Sequence, residues 1–194
     1  IVAIVYDSEG AENPRIEWDN AGTIFSHSPR VFASDKNAEC LKVNVGGRDG
    51  DGRFYCDYEP LERNVKGIIN TNMGRAYVLP IYMYSHSGER ISTIPFGDRW
   101  DSGLVGYIYM TEQKAKEEQL TRKDGKINWK AVKARLESEI ETFDQYISGE
   151  VYGFISHNIK DGIIEEDEDS CYGFFGSDIH KNGILDHIGE EVKA

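Results

Sequence analysis

The stretch WKAVKARLESEIETFDQYI, Trp129 to Ile147, decides the fold. Its apolar residues Trp129, Val132, Leu136, Ile140, Phe143 and Ile147 recur at intervals of 3, 4, 4, 3 and 4. That spacing puts all six on one stripe of an α-helix. Asn128 can cap its start, and Gly149 suits the left-handed stop after its end. A helix with a continuous apolar stripe has to bury it, and the flanking sequence offers a sheet to receive it.

Upstream, the sequence reads mainly as strands. IVAIVYD (1–7) and TIFSHS (23–28) are short apolar runs, and GLVGYIYM (103–110) reads as a buried strand. AYVLPIYMYSHSGERISTIPF (76–96) reads as a hairpin around Ser-Gly-Glu, with Pro80 marking an edge or a bulge. LKVNVGG and RDGDGRFYCDY suggest two more strands in a region, 29–75, that carries no clear period. TEQKAKEEQL (111–120) reads as a short polar helix capped by Thr111. Downstream, EVYGFISH (150–157) and SCYGFFG (170–176) read as strands. NIKDG turns between them, IIEEDED leads into the second, and DIHKNGILDHIGEEV holds a short helix. Strands, then a helix, then a hairpin, without βαβ alternation, predict one α+β domain over residues 1–194. Its antiparallel sheet carries the long helix across it, and a short helix closes the chain.

The charge is unevenly spread. The chain of 194 residues has a net charge of −12, and residues 134–194 hold fifteen Asp/Glu against four Lys/Arg. Nucleic-acid binding needs a basic face, so this balance argues against it and suits a basic partner instead. The three cysteines, Cys40, Cys56 and Cys171, form neither a disulfide framework nor a CxxC knuckle. No apolar run is long enough to span a membrane, and no signal peptide is read.

Each chemical motif has a plain alternative. Asp101-Ser102-Gly103 matches the nucleophile triplet of a trypsin-like protease, but no Ala-His-Cys stretch accompanies it, and the triplet reads as a turn before a strand. His180 and His187 stand seven apart, as if on one helix face, with no third ligand between them. Asp49 and Asp51 suggest a calcium loop in which Arg53 takes an acidic position. Cys171 follows an acidic run that disfavours a thiolate. No phosphate-cradling or dinucleotide motif is present, so no metal or cofactor is expected. Two sets of residues remain. On the long helix Glu137, Glu141 and Asp144 follow the stripe at i, i+4 and i+7, and with the loop Glu165, Glu166, Asp167, Glu168 and Asp169 they form an acidic contact surface. The alternative is a polar enzyme site of Trp18, Asp19, Asn20, Trp100, Asp101 and Ser102, with Asp19 and Asp101 as an acid/base or metal pair if the fold brings them together.

The phrases NPRIEWDNAGTIFSHS, LPIYMYSHSG, STIPFGDRWDSGLVGYIYM, EIETFDQYISGEVYGFI and DSCYGFFGSD, in that order from about residue 13 to about residue 186, resemble a family of uncharacterised proteins of bacteriophages and other viruses of prokaryotes. Similar proteins often carry Trp where this chain has Tyr172. The resemblance brings no activity. It implies a viral gene product in the host cytoplasm. The expectation that follows is a non-enzymatic accessory protein binding a host protein with a basic surface, such as a nucleic-acid-binding defence or regulatory component. A small enzyme or a structural part of a viral complex are the alternatives.

Overall fold

A computed structural model describes residues 1–7, 10–27, 32–38, 47–48, 54–55, 62–98 and 100–188. In chain order its elements are β1 (Val2–Tyr6), α1 (Pro14–Glu17), β2 (Thr23–Ser26), β3 (Gly47–Arg48), β4 (Phe54–Tyr55), α2 (Glu62–Met73), β5 (Ala76–Ser85), β6 (Glu89–Ser92), β7 (Ser102–Thr111), α3 (Glu112–Glu117), α4 (Trp129–Ile147), β8 (Val151–Lys160), β9 (Ile163–Phe175) and α5 (Ile184–His187). The fold is α+β. Its strands form two antiparallel sheets, ordered β2-β7-β5-β6 and β1-β8-β9, and a two-residue ribbon β3-β4. The chain divides into two compact units: Asp19–Glu141, and Ile1–Trp18 with Thr142–Ala194.

In the first unit β7 is the spine. Residues Val105 to Met110 are all buried, which requires cover on both faces of the sheet. Alternation along the strand separates two sets of side chains. Tyr107 and Tyr109 share a face with Phe25 of β2 and with Ala76 and Val78 of β5, and pack there against Val65 and Ile69 of α2. Ile108 faces the other way, towards α4, where Leu136 is wholly buried. A Cβ built on Gly22 would lie 2.5 Å from Leu136 Cδ2 and 2.8 Å from Ile108 Cδ1, so the helix sits hard on the start of β2. Trp129 stacks on Tyr77 at 6.1 Å between ring centroids, and the Arg75 guanidinium lies 5.3 Å from the Trp129 ring centre.

The helix ends follow the sequence signals. Asn128 Oδ1 accepts from Ala131 N at 3.3 Å, and Thr111 Oγ1 accepts from Lys114 N at 3.2 Å. Gly149 has a φ of 73°, and the Glu150 N–H donates back to Gln145 O at 2.8 Å, closing α4. Pro80 does not mark an edge strand, since β5 lies between β7 and β6; it sits beside a register shift between Ile81 and Tyr82 whose extra residue, Val105, is on β7, and β6 pairs with β5 only from Tyr82 to Ser85.

The second unit is the sheet β1-β8-β9. One face carries Phe154 and Phe174, their rings 6.1 Å apart, covered by Ile184 and Ile188 at the C-terminal end. The β8–β9 turn is Asp161-Gly162, both at positive φ (54° and 78°), the geometry of a two-residue hairpin. β9 continues well past that turn, with a shift of its register against β8 between His157 and Ile159, and the acidic residues 165–169, expected in a loop, are part of the β9 strand. The C-terminal helix is a single turn, so His180 lies before it and shares no helix face with His187.

Leu136→Ala removes a fully buried side chain at the centre of the α4 contact and is expected to destabilise by about 2–5 kcal/mol in denaturant titration. A loss below about 0.5 kcal/mol would place this stripe on the surface.

Candidate functional site

The acidic row on α4 does not form as a surface. Glu137 is half-buried and paired with Lys133 Nζ at 3.3 Å, Glu141 is exposed, and Asp144 is only 8% exposed. The seven-residue offset gives Glu137 and Asp144 nearly the same azimuth on the helix. Of the two, Asp144 alone is buried. The carboxylate that matters most on α4 is Glu139, which sequence reading passed over. Its side chain is 8% exposed, and Oε1 accepts from Ala21 N at 2.9 Å and from Arg135 Nε at 3.1 Å, while Oε2 accepts from Gly22 N at 3.1 Å. It fixes the chain entering β2. The clue was its place on the flank of the apolar stripe opposite Glu137.

The residues of the alternative polar site are dispersed. Trp18 belongs to the second unit, where its ring meets Phe175 edge-on at 5.0 Å. Asp19 and Asn20 precede β2, whose Thr23 pairs with Tyr109 near the C-terminal end of β7. Trp100, Asp101 and Ser102 stand at the opposite end of β7. Eight residues of extended chain between Asp101 and Tyr109 put the two groups about 26 Å apart. Asp19 and Asp101 therefore cannot act on one substrate atom.

At the β7 start there is a His–Asp pair. His86 Nδ1 lies 3.2 Å from Asp101 Oδ2, both at the surface. The Ser102 hydroxyl donates to the Asp98 carbonyl oxygen and not to His86. Three residue types of a triad are close in the chain, but the base does not face the nucleophile. The stretch is a capped turn. Asp98 Oδ1 accepts from the Trp100 N–H at 2.7 Å and from the Asp101 N–H at 3.2 Å. Those bonds, the Trp100 one foremost, hold its carboxyl below the usual value. Trp100 itself is 95% exposed.

Beside Asn20, at the other end of β7, lies a cleft of about 340 Å³, lined by Thr23, Met73, Tyr109, Thr111 and Lys114 among others. Tyr109 Oη donates to Met73 Sδ at 3.7 Å, and the Lys114 ammonium is bonded to Glu118 Oε1 at 2.7 Å, which raises its pKa. Of the six polar candidates only Asn20 lines this cleft. Its polar groups are amides, hydroxyls and an ion-paired lysine, and among the described residues no histidine or carboxylate lines it.

Among the described residues no group of three His, Cys, Asp or Glu is placed to hold a metal ion. Cys171 is half-buried in β9 against the Phe154–Phe174 cluster. The Asp49–Asp51 loop, Cys40 and Cys56 lie outside the described residues. No helix among those residues is long and apolar enough to cross a membrane. No family model matches the chain, and no curated protein or solved structure is similar to it.

The charge distribution follows the structural division closely. Residues 1–18 and 142–194 hold sixteen Asp/Glu and four Lys/Arg, whereas residues 19–141 hold eighteen of each. One unit thus carries the entire net charge of −12 and the other is neutral.

Two outcomes test this geometry. Ser102 should not be labelled by a fluorophosphonate probe, and Ser102→Ala should stay folded; stoichiometric labelling would contradict the turn reading. Asp98 titrates low because its ionised form is bonded, so its bonds are present at neutral pH and lost as the pH falls through that lowered value. Amide exchange of Trp100 and Asp101 should accelerate in step with the carboxyl titration seen by NMR. Exchange that ignores it would dissociate the cap from the turn.

Proposed function

We propose that the protein is a binding protein with no catalytic role of its own, and that it engages a basic partner through the unit formed by residues 1–18 and 142–194. One observation carries this reading: that unit holds the whole net charge of −12 while residues 19–141 are neutral. A charge imbalance gathered into one unit steers oppositely charged partners and repels nucleic acid. The form of the β8–β9 hairpin supports it. β1 meets β8 only as far as His157, so the distal hairpin beyond it is a two-stranded ribbon among the described residues. That ribbon contains Glu165, Glu166 and Asp167, with Glu168 and Asp169 where it joins the three-stranded part, and Ile159, Ile163 and Ile164 are all more than half exposed on it. Exposed apolar side chains amid charge form the centre-and-rim pattern of a contact surface.

With the sequence resemblance, this reading becomes a phage accessory protein that binds a host protein in the host cytoplasm. A protein whose basic surface normally holds nucleic acid, in defence or regulation, has the complementary chemistry. The contact surface is the strand run Glu165, Glu166, Asp167, Glu168 and Asp169 with its neighbours, rather than the helix row Glu137, Glu141 and Asp144.

The test is capture of the partner from host cells by the tagged protein, followed by binding kinetics. Replacing residues 165–169 with Gln and Asn should slow association far more than it speeds dissociation. Added salt should weaken binding, since exposed charges are screened beyond about 8 Å at physiological ionic strength. Affinity indifferent to both would make the acidic run a solubility device and end this reading.

A further inference from the structure

The two edges of the sheet β1-β8-β9 are built on opposite plans. β9 carries five consecutive acidic residues and, at Gly173 (φ 86°), a break in its register with β8, both of which discourage another strand from pairing there. β1 has no such protection. From Ile1 to Tyr6 no side chain is charged and none is proline, and its register with β8 runs unbroken from Val2↔Ser156 to Tyr6↔Tyr152. The phase of its ladder is fixed at both ends. Ile1 and His157 exchange N–H···O bonds at 2.8 and 2.9 Å, and the Asp7 N–H donates to Val151 O at 2.9 Å. In an antiparallel pair the bonded residues alternate, so residues 1, 3, 5 and 7 face β8. The N–H and C=O groups of Val2, Ile4 and Tyr6 point away from the sheet, where no described strand pairs with them. The side chains of Ile4 and Tyr6 are 44% and 66% exposed.

We infer that β1 is a receptor strand, and that an extended segment of the basic partner adds to it as a fourth strand of the sheet. Main-chain bonds to Val2, Ile4 and Tyr6 supply the affinity, and alternate side chains supply the selection. The segment's apolar residues would lie beside Val2, Ile4 and Tyr6, with Lys or Arg between them. Charge selects this occupant over a second copy of the chain, which would set one unit of −12 edge to edge against another. The inference rests on the acidic-unit reading above and names how that unit holds its partner.

The phase of the ladder supplies the test. Proline at position 4 or 6 removes an outward N–H and no bond to β8, so Ile4→Pro and Tyr6→Pro should melt close to wild type, whereas Val5→Pro should unfold the edge. The probe is a fluorescent peptide of alternating Lys with Val or Ile, read by anisotropy, with a copy N-methylated on alternate amides as control. Wild type should bind the first and not the second. Ile4→Pro and Tyr6→Pro should each weaken binding by about tenfold or more, the scale of one or two lost hydrogen bonds. Equal binding by wild type and both proline variants, or none by wild type, overturns the edge inference. If that peptide still responds to salt and to substitution of residues 165–169, the acidic reading survives; if it does not, both fall. Wild-type dimers in sedimentation that Ile4→Pro dissolves would assign the edge to a second copy and also overturn the inference.

Discussion

The first unit depends on the seat of α4 on the start of β2. Three things meet there: the side chain of Leu136, the missing side chain of Gly22, and the carboxylate of Glu139 on the amides of Ala21 and Gly22. A buried carboxylate is costly unless bonded, and here two backbone N–H groups and Arg135 satisfy it. The helix cannot slide along the sheet without leaving that carboxylate unpaired, nor turn without driving Leu136 off Gly22. Because β2 pairs with β7, and β7 is covered on both faces, the same contact holds the register of the spine strand.

This arrangement assigns different work to different parts of the chain. The neutral unit is occupied with packing, and its conspicuous polar residues turn out to cap turns or line a cleft without a base. The unit that carries the charge has a sheet in which no described strand pairs with the outer side of β1, and a β8–β9 ribbon reaching past β1. Several of the glycines in the most distinctive phrases of the sequence are explained by packing. Gly22 lies under Leu136, a Cβ on Gly106 would stand 2.5 Å from Phe25 O, and one on Gly153 would strike the Tyr172 ring. Such glycines mark close approach, so the phrases report how the chain packs and say little about what it binds.

What was legible in the sequence was whatever a local period or cap encodes. The six-residue stripe, Asn128, Thr111, Gly149 and the buried run in β7 all appear where the pattern placed them. Helix α2 was not legible. Its buried contacts rest on Val65 and Ile69, it contains Gly67, and its apolar partners Tyr107 and Tyr109 lie about forty residues away. Helix α1 had a readable signal that went unused, Asn13 accepting from the Arg15 N–H with Pro14 at the first turn. The acidic run read as loop because Glu and Asp disfavour strands, yet it lies within β9, across a shift of the β8–β9 register that pairing resumes beyond, at His157 with Glu168. Asp19 and Asp101 looked like partners because the phrases around them are alike in character. Only the pairing of β2 with β7 shows that they stand at opposite ends of a strand.

The dependence on the α4 seat is tested most directly by a double-mutant cycle between Gly22 and Leu136. Gly22→Ala alone introduces a methyl where Leu136 Cδ2 would be 2.5 Å away, and Leu136→Ala alone leaves a cavity. If the two residues occupy one space, the second change makes room for the first. The double mutant should then be less destabilised than the sum of the single mutants by about 1 kcal/mol or more. Strict additivity within about 0.5 kcal/mol would show that the two residues do not share that space, and would contradict the account.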